Sequence, residues 1–366
     1  MEIVEQDHLV IAVVDRAEAE SHAWKAAGES AGAAAGEAAG ESAGESAGPI
    51  DIVRLAEDDV DPSGGIDADL AGLGFVARPK WLNWCAPVRD SQADFEAALS
   101  GTERRNIRLG TRFVHDEGLR VDVRVGLTEQ LVDEFLVLYE QQIAGMPRGQ
   151  NFARRGRDRL LAGADQHVGV CVRTRDGAML VGSLWWIRPE DSVLQMRYSA
   201  SAADARSGRV MRVAYARALQ FAREQGLTYA SLGNDPSLFG HVVQPGLFNF
   251  KTRFGFAPVP AQVLTPKLGG GFVDKFLSLR SLADPALVVT WGRHAGTVPV
   301  WPEVGAAGPG HDLLILSGAS GASGASGASG ASGASGVPGA SGVADEELAG
   351  RFRTEGFRRT RVAAVP

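Results

Sequence analysis

The alternation of apolar and polar residues is clearest between residues 163 and 258, where strand-like and helix-like periods follow one another. The Asp176-Gly177 pair between two alternating runs predicts a tight hairpin, and Gly226 is typical of a helix end. The predicted elements are strands His167–Arg175, Ala178–Arg188 and Ser192–Ser199, helix Ser207–Glu224, strand Thr228–Leu232, helix Leu247–Phe254 and a strand from Ala257. This order predicts a layered α/β fold with a mixed, mostly antiparallel sheet flanked by helices.

The amino-terminal part has weaker periodicity. Ser91 is a plausible N-cap for one long helix that carries four arginines on one side. These arginines either form a solvated surface or bind phosphates. The predicted elements here are strands Leu9–Val14, Asp51–Leu55 and Phe75–Leu82, the helix from Ser91, strand Leu119–Val125 and helix Glu129–Ile143.

Two low-complexity tracts interrupt the pattern. Ala26–Gly48 repeats Gly, Glu, Ser and Ala, and Ser317–Ser341 repeats Gly-Ala-Ser. Neither tract has side chains that offset the cost of ordering its backbone, about 1–2 kcal/mol per residue, so both are expected to be linkers. A short helix is predicted after residue 344, followed by a basic tail with Arg351, Arg353, Arg358, Arg359 and Arg361. The tail is either solvated or docks RNA or a phosphorylated ligand.

Composition narrows the class of protein. The chain has 366 residues, 45% of them hydrophobic, and a net charge of −7, so it is large enough for two domains and has no general attraction for nucleic acid. Two cysteines exclude a disulfide scaffold and a four-cysteine metal site, and Cys171 is expected to be a small buried residue. His167 and His241 lack partners at metal-ligand spacing, so no metal is predicted. Without a signal peptide or a span of about 20 apolar residues, the protein is expected to be cytoplasmic.

The order of motifs resembles the GNAT acyltransferase superfamily, in particular its Fem-like and BioF-like members. The motifs are Leu99-Ser100, Arg104–Arg108, Gly118, Phe135–Tyr139 and Phe250–Phe256. The resemblance implies two GNAT-like lobes in one chain. The implied divisions are a degenerate first lobe over 1–115 with insert 26–48, a complete GNAT lobe over 116–265, an extension over 266–316, a linker over 317–343, and a helix with basic tail over 344–366.

The resemblance also implies a donor site at the start of the main helix. Free N–H groups at a helix N-terminus suit a phosphate, and the matching residues here are Arg206, Ser207, Gly208 and Arg209. The loop has only one glycine where acyl-CoA enzymes usually have two, which favours the members that use aminoacyl-tRNA. The donor is therefore acyl-CoA or aminoacyl-tRNA, and the acceptor is a small-molecule or peptide amine.

Three residues are candidates for catalysis. Phe250-Lys251 matches a Phe-Lys pair at the active site of Fem-like enzymes, which implies that Lys251 stabilises the tetrahedral intermediate. Asp235, in a predicted Asn-Asp-Pro loop, holds the acceptor amine or takes its proton, or else it is an ordinary turn residue. Tyr198, at the end of its strand, is either a general acid or a packing residue.

Three further residues are candidates for substrate binding. Arg253 is placed to clamp a carboxylate or phosphate, and Asn234 lies beside Asp235. Trp185 and Trp186 point to opposite faces of one strand, so that one is core and Trp186 is assigned to the substrate groove. Two other functions stay open, a conventional acetyl-CoA-dependent N-acetyltransferase and a non-catalytic protein that binds a peptide or sugar-peptide. The sequence predicts no oligomeric state.

Overall fold

The computed structural model describes residues 1–22, 24, 49–57, 65–146, 150–203, 205, 209–241, 243–291, 311–318 and 340–365. The predicted linker 26–48, and residues 319–339 of the second predicted linker, lie outside this part of the chain. The chain divides into two compact units. Residues 1–82, 235–250 and 258–366 form the first unit, and residues 83–234 and 251–257 form the second.

Sixteen strands and ten helices are assigned within the described residues. The strands are β1 Glu2–Gln6, β2 Leu9–Val14, β3 Ile52–Leu55, β4 Val76–Pro79, β5 Trp81–Pro87, β6 Arg120–Val125, β7 His167–Arg173, β8 Met179–Arg188, β9 Val193–Ser201, β10 Tyr229–Pro236, β11 Leu238–Phe239, β12 Ala257–Pro260, β13 Gly271–Phe276, β14 Ala286–Thr290, β15 Asp312–Gly318 and β16 Arg359–Val365. The helices are α1 Arg16–Ser21, α2 Ala68–Gly72, α3 Gln92–Ala98, α4 Gly101–Asp116, α5 Glu129–Ala144, α6 Phe152–Arg155, α7 Arg157–Ala162, α8 Val210–Glu224, α9 Pro245–Arg253 and α10 Ala340–Ala349.

The first unit contains a five-stranded sheet of order β1-β2-β3-β13-β4 and a four-stranded sheet of order β11-β14-β15-β16. Strand β2 is apolar on both faces, and alternation sends its residues to two different cores. Leu9 and Ile11 pack with Val288 and Leu314 of the four-stranded sheet. Val10, Ala12 and Val14 pack with residues of α1 and α2 on the other face.

A buried ionic cluster lies on β3, β4 and β13 of the first unit. Asp274 has no exposed surface, and both oxygens of its carboxylate accept hydrogen bonds from Arg54 at 2.7 and 3.0 Å. Arg78 donates to the same carboxylate at 2.6 and 2.9 Å and to Ser237 Oγ at 2.8 Å. Burial alone raises the pKa of Asp274, but the two guanidinium groups outweigh it and lower the pKa.

Most of a seven-stranded sheet of order β12-β5-β10-β9-β8-β7-β6 lies in the second unit. Strands β6 to β9 pair in an antiparallel way, and β9 pairs with β10 in a parallel way. Helix α5 covers one face with Phe135 and Tyr139, which pack in one core cluster with Leu184 of β8. On the other face Tyr215 of α8 packs edge-on against Trp185 at 5.7 Å. The prediction of a layered α/β fold with mixed sheets flanked by helices is confirmed.

Most predicted elements of the second unit are confirmed to within a few residues, including the hairpin, where Gly177 has a φ of 97°. The single helix predicted from Ser91 is wrong, because the chain breaks at Leu99-Ser100 into α3 and α4. Ser100 is the N-cap of α4 and accepts a hydrogen bond from the Glu103 amide at 3.2 Å. The Ser-x-x-Glu spacing that marks such a start was present in the sequence.

Two other segments differ from the predictions. Strand β10 continues through Asn234 and Asp235 to Pro236, where a loop was predicted. Part of the predicted basic tail is a strand, since β16 pairs in parallel with β15. Arg358 donates to Asp312 at 3.1 Å, so an acidic partner offsets part of the charge of this segment.

Both cysteines are buried and free, as expected for Cys171. Burial raises the pKa of the Cys171 thiol to about 11, which makes it a poor nucleophile at neutral pH. Among the described residues, no helix combines the length and apolar content required to cross a bilayer.

The ionic cluster of the first unit makes a prediction about stability. Asp274→Asn leaves two guanidinium groups buried without their anion, and we expect it to lower the free energy of unfolding by about 3–5 kcal/mol. The carboxylate's contribution is complete above the pKa of an unfolded aspartate, about 3.9, and is lost as the pH falls towards the lowered folded-state pKa. Urea unfolding at several pH values measures both effects.

Asp69→Asn is the control for this experiment, because Asp69 is exposed on α2 of the same unit. It should change stability by no more than about 0.5 kcal/mol. Equal stability of the two variants at neutral pH would contradict a supporting role for the Asp274 carboxylate.

Candidate functional site

The parallel strands β9 and β10 pair over only three positions. Tyr229, Ala230 and Ser231 lie opposite Val193, Leu194 and Gln195, and the ladder ends there. Gly233, with a φ of 83°, follows on β10, and a Cβ at this position would lie 3.1 Å from the Met196 carbonyl oxygen. The glycine therefore permits the last close approach before the strands part. We call the region beyond Ser231 and Gln195 the strand opening.

A β-bulge on β9 lies beside the strand opening. Trp185 of β8 pairs with Met196, but Leu184 pairs with Tyr198, so Arg197 is an additional residue in β9. A bulge bends its strand and changes the direction of nearby side chains. Contacts place Arg197 near the Trp186 ring and Tyr198 near Tyr139. Both side chains therefore lie on the face that α5 covers, which we call the α5 face.

A chain of buried hydrogen bonds on β5 and β10 ends at the strand opening. The Gly233 amide donates to Ser231 Oγ at 3.0 Å, and the Ser231 hydroxyl donates to Asn83 Oδ1 at 2.6 Å. The Cys85 thiol donates to the same oxygen at 3.2 Å. Asn83 Nδ2 in turn donates to Asn234 Oδ1 at 2.7 Å. Asn83 and Ser231 have no exposed surface, whereas Asn234 is partly exposed.

The hydrogen bonds of this chain, which we call the amide relay, run in one direction. Ser231 Oγ accepts the Gly233 N–H and donates its proton to Asn83 Oδ1. Burial raises the pKa of the Cys85 thiol well above its usual range, so the thiol stays protonated and donates to the same oxygen. Asn83 presents its NH₂ group to Asn234 Oδ1. The NH₂ group of Asn234 is consequently the donor at the end of the relay.

Sequence reasoning missed Asn83 and Ser231. The sequence did contain a signal for Asn83, because it lies within the apolar run Trp81–Pro87. The amide of an asparagine buried in such a run has to be hydrogen-bonded. A single sequence does not show which residue provides the partner. The partner is 148 positions away in Ser231, and only the pairing of strands brings it near.

Lys251, the main catalytic candidate, is only 4% exposed at the end of α9. Its ammonium lies 5.5 Å from the centre of the Trp84 ring, and the nearby Phe254 and Phe256 are buried. Trp84 neighbours Asn83 on β5, so alternation places it on the opposite face, which α8 covers. A cation held against an indole in a dry environment keeps a strong electrostatic effect.

The other candidates occupy different places. Tyr198 packs against Tyr139 with ring centres 5.9 Å apart, and a Cβ at Gly156 would meet its hydroxyl at 2.5 Å. Trp186 is partly exposed on the α5 face, while Trp185 is fully buried on the other, as the alternation predicted. Arg253 is partly buried, and its carbonyl accepts a hydrogen bond from the Ser100 amide at 3.5 Å.

The structure brings only some of the candidates together. Trp186 and Tyr198 share the α5 face of the second unit, Asn234 is hydrogen-bonded to Asn83, and Lys251 lies beside Trp84 on the face covered by α8. Asp235 belongs to the first unit and is half-buried on β10. Three candidates for donor binding, Arg206, Ser207 and Gly208, lie outside the described residues.

The N-terminus of α8 is held by α4. Arg209, the N-cap residue, has a φ of 59° and donates through Nε to Asn106 Oδ1 at 2.9 Å. One turn later Arg212 forms an ion pair with Glu103, which is 1% exposed. A Cβ at Gly110 would lie 2.9 Å from the Arg209 carbonyl oxygen. These contacts fix the position of the helix end that was predicted to bind the donor.

Comparisons with known proteins concern the fold alone. No protein-family model matches the sequence, and no curated protein sequence matches it significantly. The structure is similar to FemX at 17% identity and a TM-score of 0.40, over 74% of this chain and 81% of FemX. It is also similar to L-PGS from Bacillus licheniformis at 12% identity and a TM-score of 0.36, over 75% and 79% of the two chains.

A third similar structure is a tandem GNAT protein from the clavulanic acid biosynthesis pathway. Its identity is 9% and its TM-score 0.33, over 62% of this chain and 63% of that protein. At such values, any function has to be argued from the residues of this chain.

The packing of α4 on α8 makes a prediction. We expect Gly110→Ala to lower the free energy of unfolding by about 1–2 kcal/mol, because its Cβ would press on the backbone of Arg209. Gly101→Ala in the same helix is the control, since its Cβ would meet only the Arg104 guanidinium, at 4.0 Å. Chemical denaturation measures both. If Gly110→Ala is as stable as Gly101→Ala, α4 does not press on α8 at this point.

Proposed function

We propose that this chain is an N-acyltransferase of the GNAT superfamily, with an active site at the strand opening of the second unit. One observation carries the proposal, the NH₂ group of Asn234 at the end of the amide relay. Acyl transfer to an amine passes through a tetrahedral oxyanion, which needs hydrogen-bond donors that are already in position. In this proposal Asn234 donates to that oxyanion.

The amide relay supports a role in catalysis because it removes the freedom of the donor to turn. An exposed asparagine rotates and presents either its oxygen or its nitrogen. Here the Asn234 oxygen is engaged at 2.7 Å by a fully buried amide whose own orientation is determined by Ser231. Folding therefore fixes the orientation of the donor in advance, and the reaction does not have to reorient it.

Lys251 is proposed to stabilise the same developing charge from the other face of the sheet. Its ammonium is nearly buried against Trp84, in surroundings where an electrostatic interaction is stronger than in water. Asp235 is proposed to take the proton of the acceptor amine, Tyr198 to act as a general acid, and Arg253 to clamp an anionic group. Trp186 is proposed to line the groove for a small-molecule or peptide amine.

The donor is proposed to bind at the N-terminus of α8, through residues 206–209. A helix end of this kind attracts phosphate groups, and its position beside β9 is maintained by the Asn106 and Glu103 contacts. Acyl-CoA and aminoacyl-tRNA both carry phosphates. The single glycine of the loop favours aminoacyl-tRNA.

The first experiment determines the donor. Mass spectrometry of ligands that co-purify with the protein, followed by titration with acetyl-CoA and with charged tRNA, should identify one of them as a ligand. Transfer to a panel of amines then follows by product mass. Acetyl-CoA as donor would support the conventional N-acetyltransferase, and binding of neither donor would overturn the acyltransferase proposal in favour of a non-catalytic binding protein.

Removal of the relay's terminal donor tests the site directly. Asn234→Asp keeps the shape and replaces the NH₂ group with oxygen, so we expect kcat to fall by about 10²–10³ with little change in KM. Asn83→Asp should have the same effect, because a carboxylate at Asn83 would draw the NH₂ group of Asn234 inward. Steady-state kinetics, with melting temperature as a check on folding, measures both.

Asn151→Asp is the control: it also replaces an NH₂ group with oxygen, there losing a bond to Glu140 at 3.2 Å, while the carboxylate still accepts from the Arg154 amide as N-cap of α6. It should leave kcat unchanged. An active Asn234→Asp variant with wild-type kcat would remove the amide relay from the mechanism.

Lys251→Met keeps the apolar stem of the side chain and removes its charge. We expect kcat to fall by about 10²–10³ while the fold and the substrate Kd stay nearly unchanged. Lys267→Met, at an exposed lysine, serves as the control. A higher KM with intact kcat would mean that the charge of Lys251 serves binding, and a wild-type rate would mean that it has no part in the reaction.

A further inference from the structure

Two guanidinium groups lie against a single indole ring on the α5 face of the second unit. The Arg188 guanidinium carbon is 4.8 Å from the Trp186 ring centre, and that of Arg197 is 5.8 Å from it. Trp186 lies opposite Gln195, with Arg188 and Arg197 to either side of it along the strands. An aromatic face attracts each cation, but two like charges near one ring repel each other. Such an arrangement is stable when anions balance the charge.

The two arginines differ in how their positive charge is neutralised. Arg188 forms an ion pair with Asp191 at 2.5 Å and donates to Gln195 at 3.0 Å. Arg197 forms no ion pair or hydrogen bond with any residue that the structure describes, and it is partly exposed. The adjacent His167 adds no charge of its own, since burial, reinforced by Arg197, lowers the pKa of that histidine and favours the neutral imidazole. Within the described part of the chain, one positive charge is therefore held in place without a protein anion.

Arg197 is the bulged residue of β9, two positions beyond the last residue that pairs with β10. The bulge thus turns this guanidinium to the α5 face at the strand opening. The N-terminus of α8, where the donor phosphates are proposed to bind, belongs to the helix that packs on the opposite face through Tyr215. A ligand anion at Arg197 therefore belongs to the acceptor.

We infer that Arg197, seated on the Trp186 ring, binds an anionic group of the acyl acceptor, a carboxylate or a phosphate. The inference rests on the proposed function in one respect, since it names the ligand as the acceptor. The planar guanidinium matches both groups with paired N–H donors, and the indole holds its plane. The preferred acceptor is accordingly an amine that also carries a negative charge.

The experiment uses two small probes on the full chain, N-acetylglycine for a carboxylate and inorganic phosphate for a phosphoryl group. The indole ¹⁵N resonance of Trp186, assigned by its loss in Trp186→Phe, reports binding of each. Arg197→Gln should weaken the preferred probe at least tenfold, and Arg197→Lys should recover part of the affinity. Arg175→Gln should bind as the wild type does, because Arg175 is an exposed residue of the hairpin between β7 and β8, at the other end of β8 from Trp186. The more tightly bound probe assigns the anionic group.

Two outcomes overturn the inference. Wild-type affinity of Arg197→Gln for both probes would mean that the arginine only packs on the indole. Loss of coenzyme A or tRNA binding in Arg197→Gln, with both probes unaffected, would assign the charge to the donor. The titrations need no turnover, so weaker probe binding in Arg197→Gln, with no acyl transfer by the wild type, would disprove the proposed activity and leave the anion site in place.

Discussion

The parallel pairing of β9 with β10 stops at Gln195 and Ser231, and beyond this point the two strand edges diverge within one sheet. Backbone N–H and C=O groups require partners, so a sheet that opens in this way has to place water or a ligand where the ladder would have continued. Gly233 and the bulge at Arg197 are the local devices that make the opening possible. The candidate site of the second unit depends on this break in an otherwise regular sheet.

The polar groups around the opening are arranged by burial. Asn83 and Ser231 are fully enclosed, and each would be costly without its hydrogen bonds, about 1–3 kcal/mol for an unsatisfied group. Because Asn234 Oδ1 accepts from the Asn83 amide, the NH₂ group of Asn234 is directed away from the relay. The same interactions that stabilise the second unit therefore fix the orientation of a hydrogen-bond donor. Arg197 presents the complementary situation, a charge placed at the surface and left for a ligand to neutralise.

In the first unit, the buried charged side chains stabilise the fold. Asp274 lies between two arginines and has no exposed surface, and Phe272 covers the Arg54 guanidinium at 3.7 Å. All the charges of this cluster find partners within the unit. The Asp274 cluster therefore stabilises a core, whereas Arg197 is a cation that is available for binding.

The sequence by itself determined the elements with strong local signals. Alternation predicted β7, β8 and β9, the Asp-Gly pair predicted their hairpin, and Gly226 marked the end of α8, because period and turn chemistry act over a few residues. The sequence did not predict the helix break at Ser100, because an N-cap signal competes with helix periodicity. It did not predict the extension of β10 either, because the end of a strand depends on the strands beside it. Only the tertiary structure decided that Asn83 meets Ser231 and Asn234, that Arg197 leaves the strand register, and that Lys251 lies over Trp84. These contacts join residues far apart in the chain, and no local pattern records which buried groups will satisfy one another.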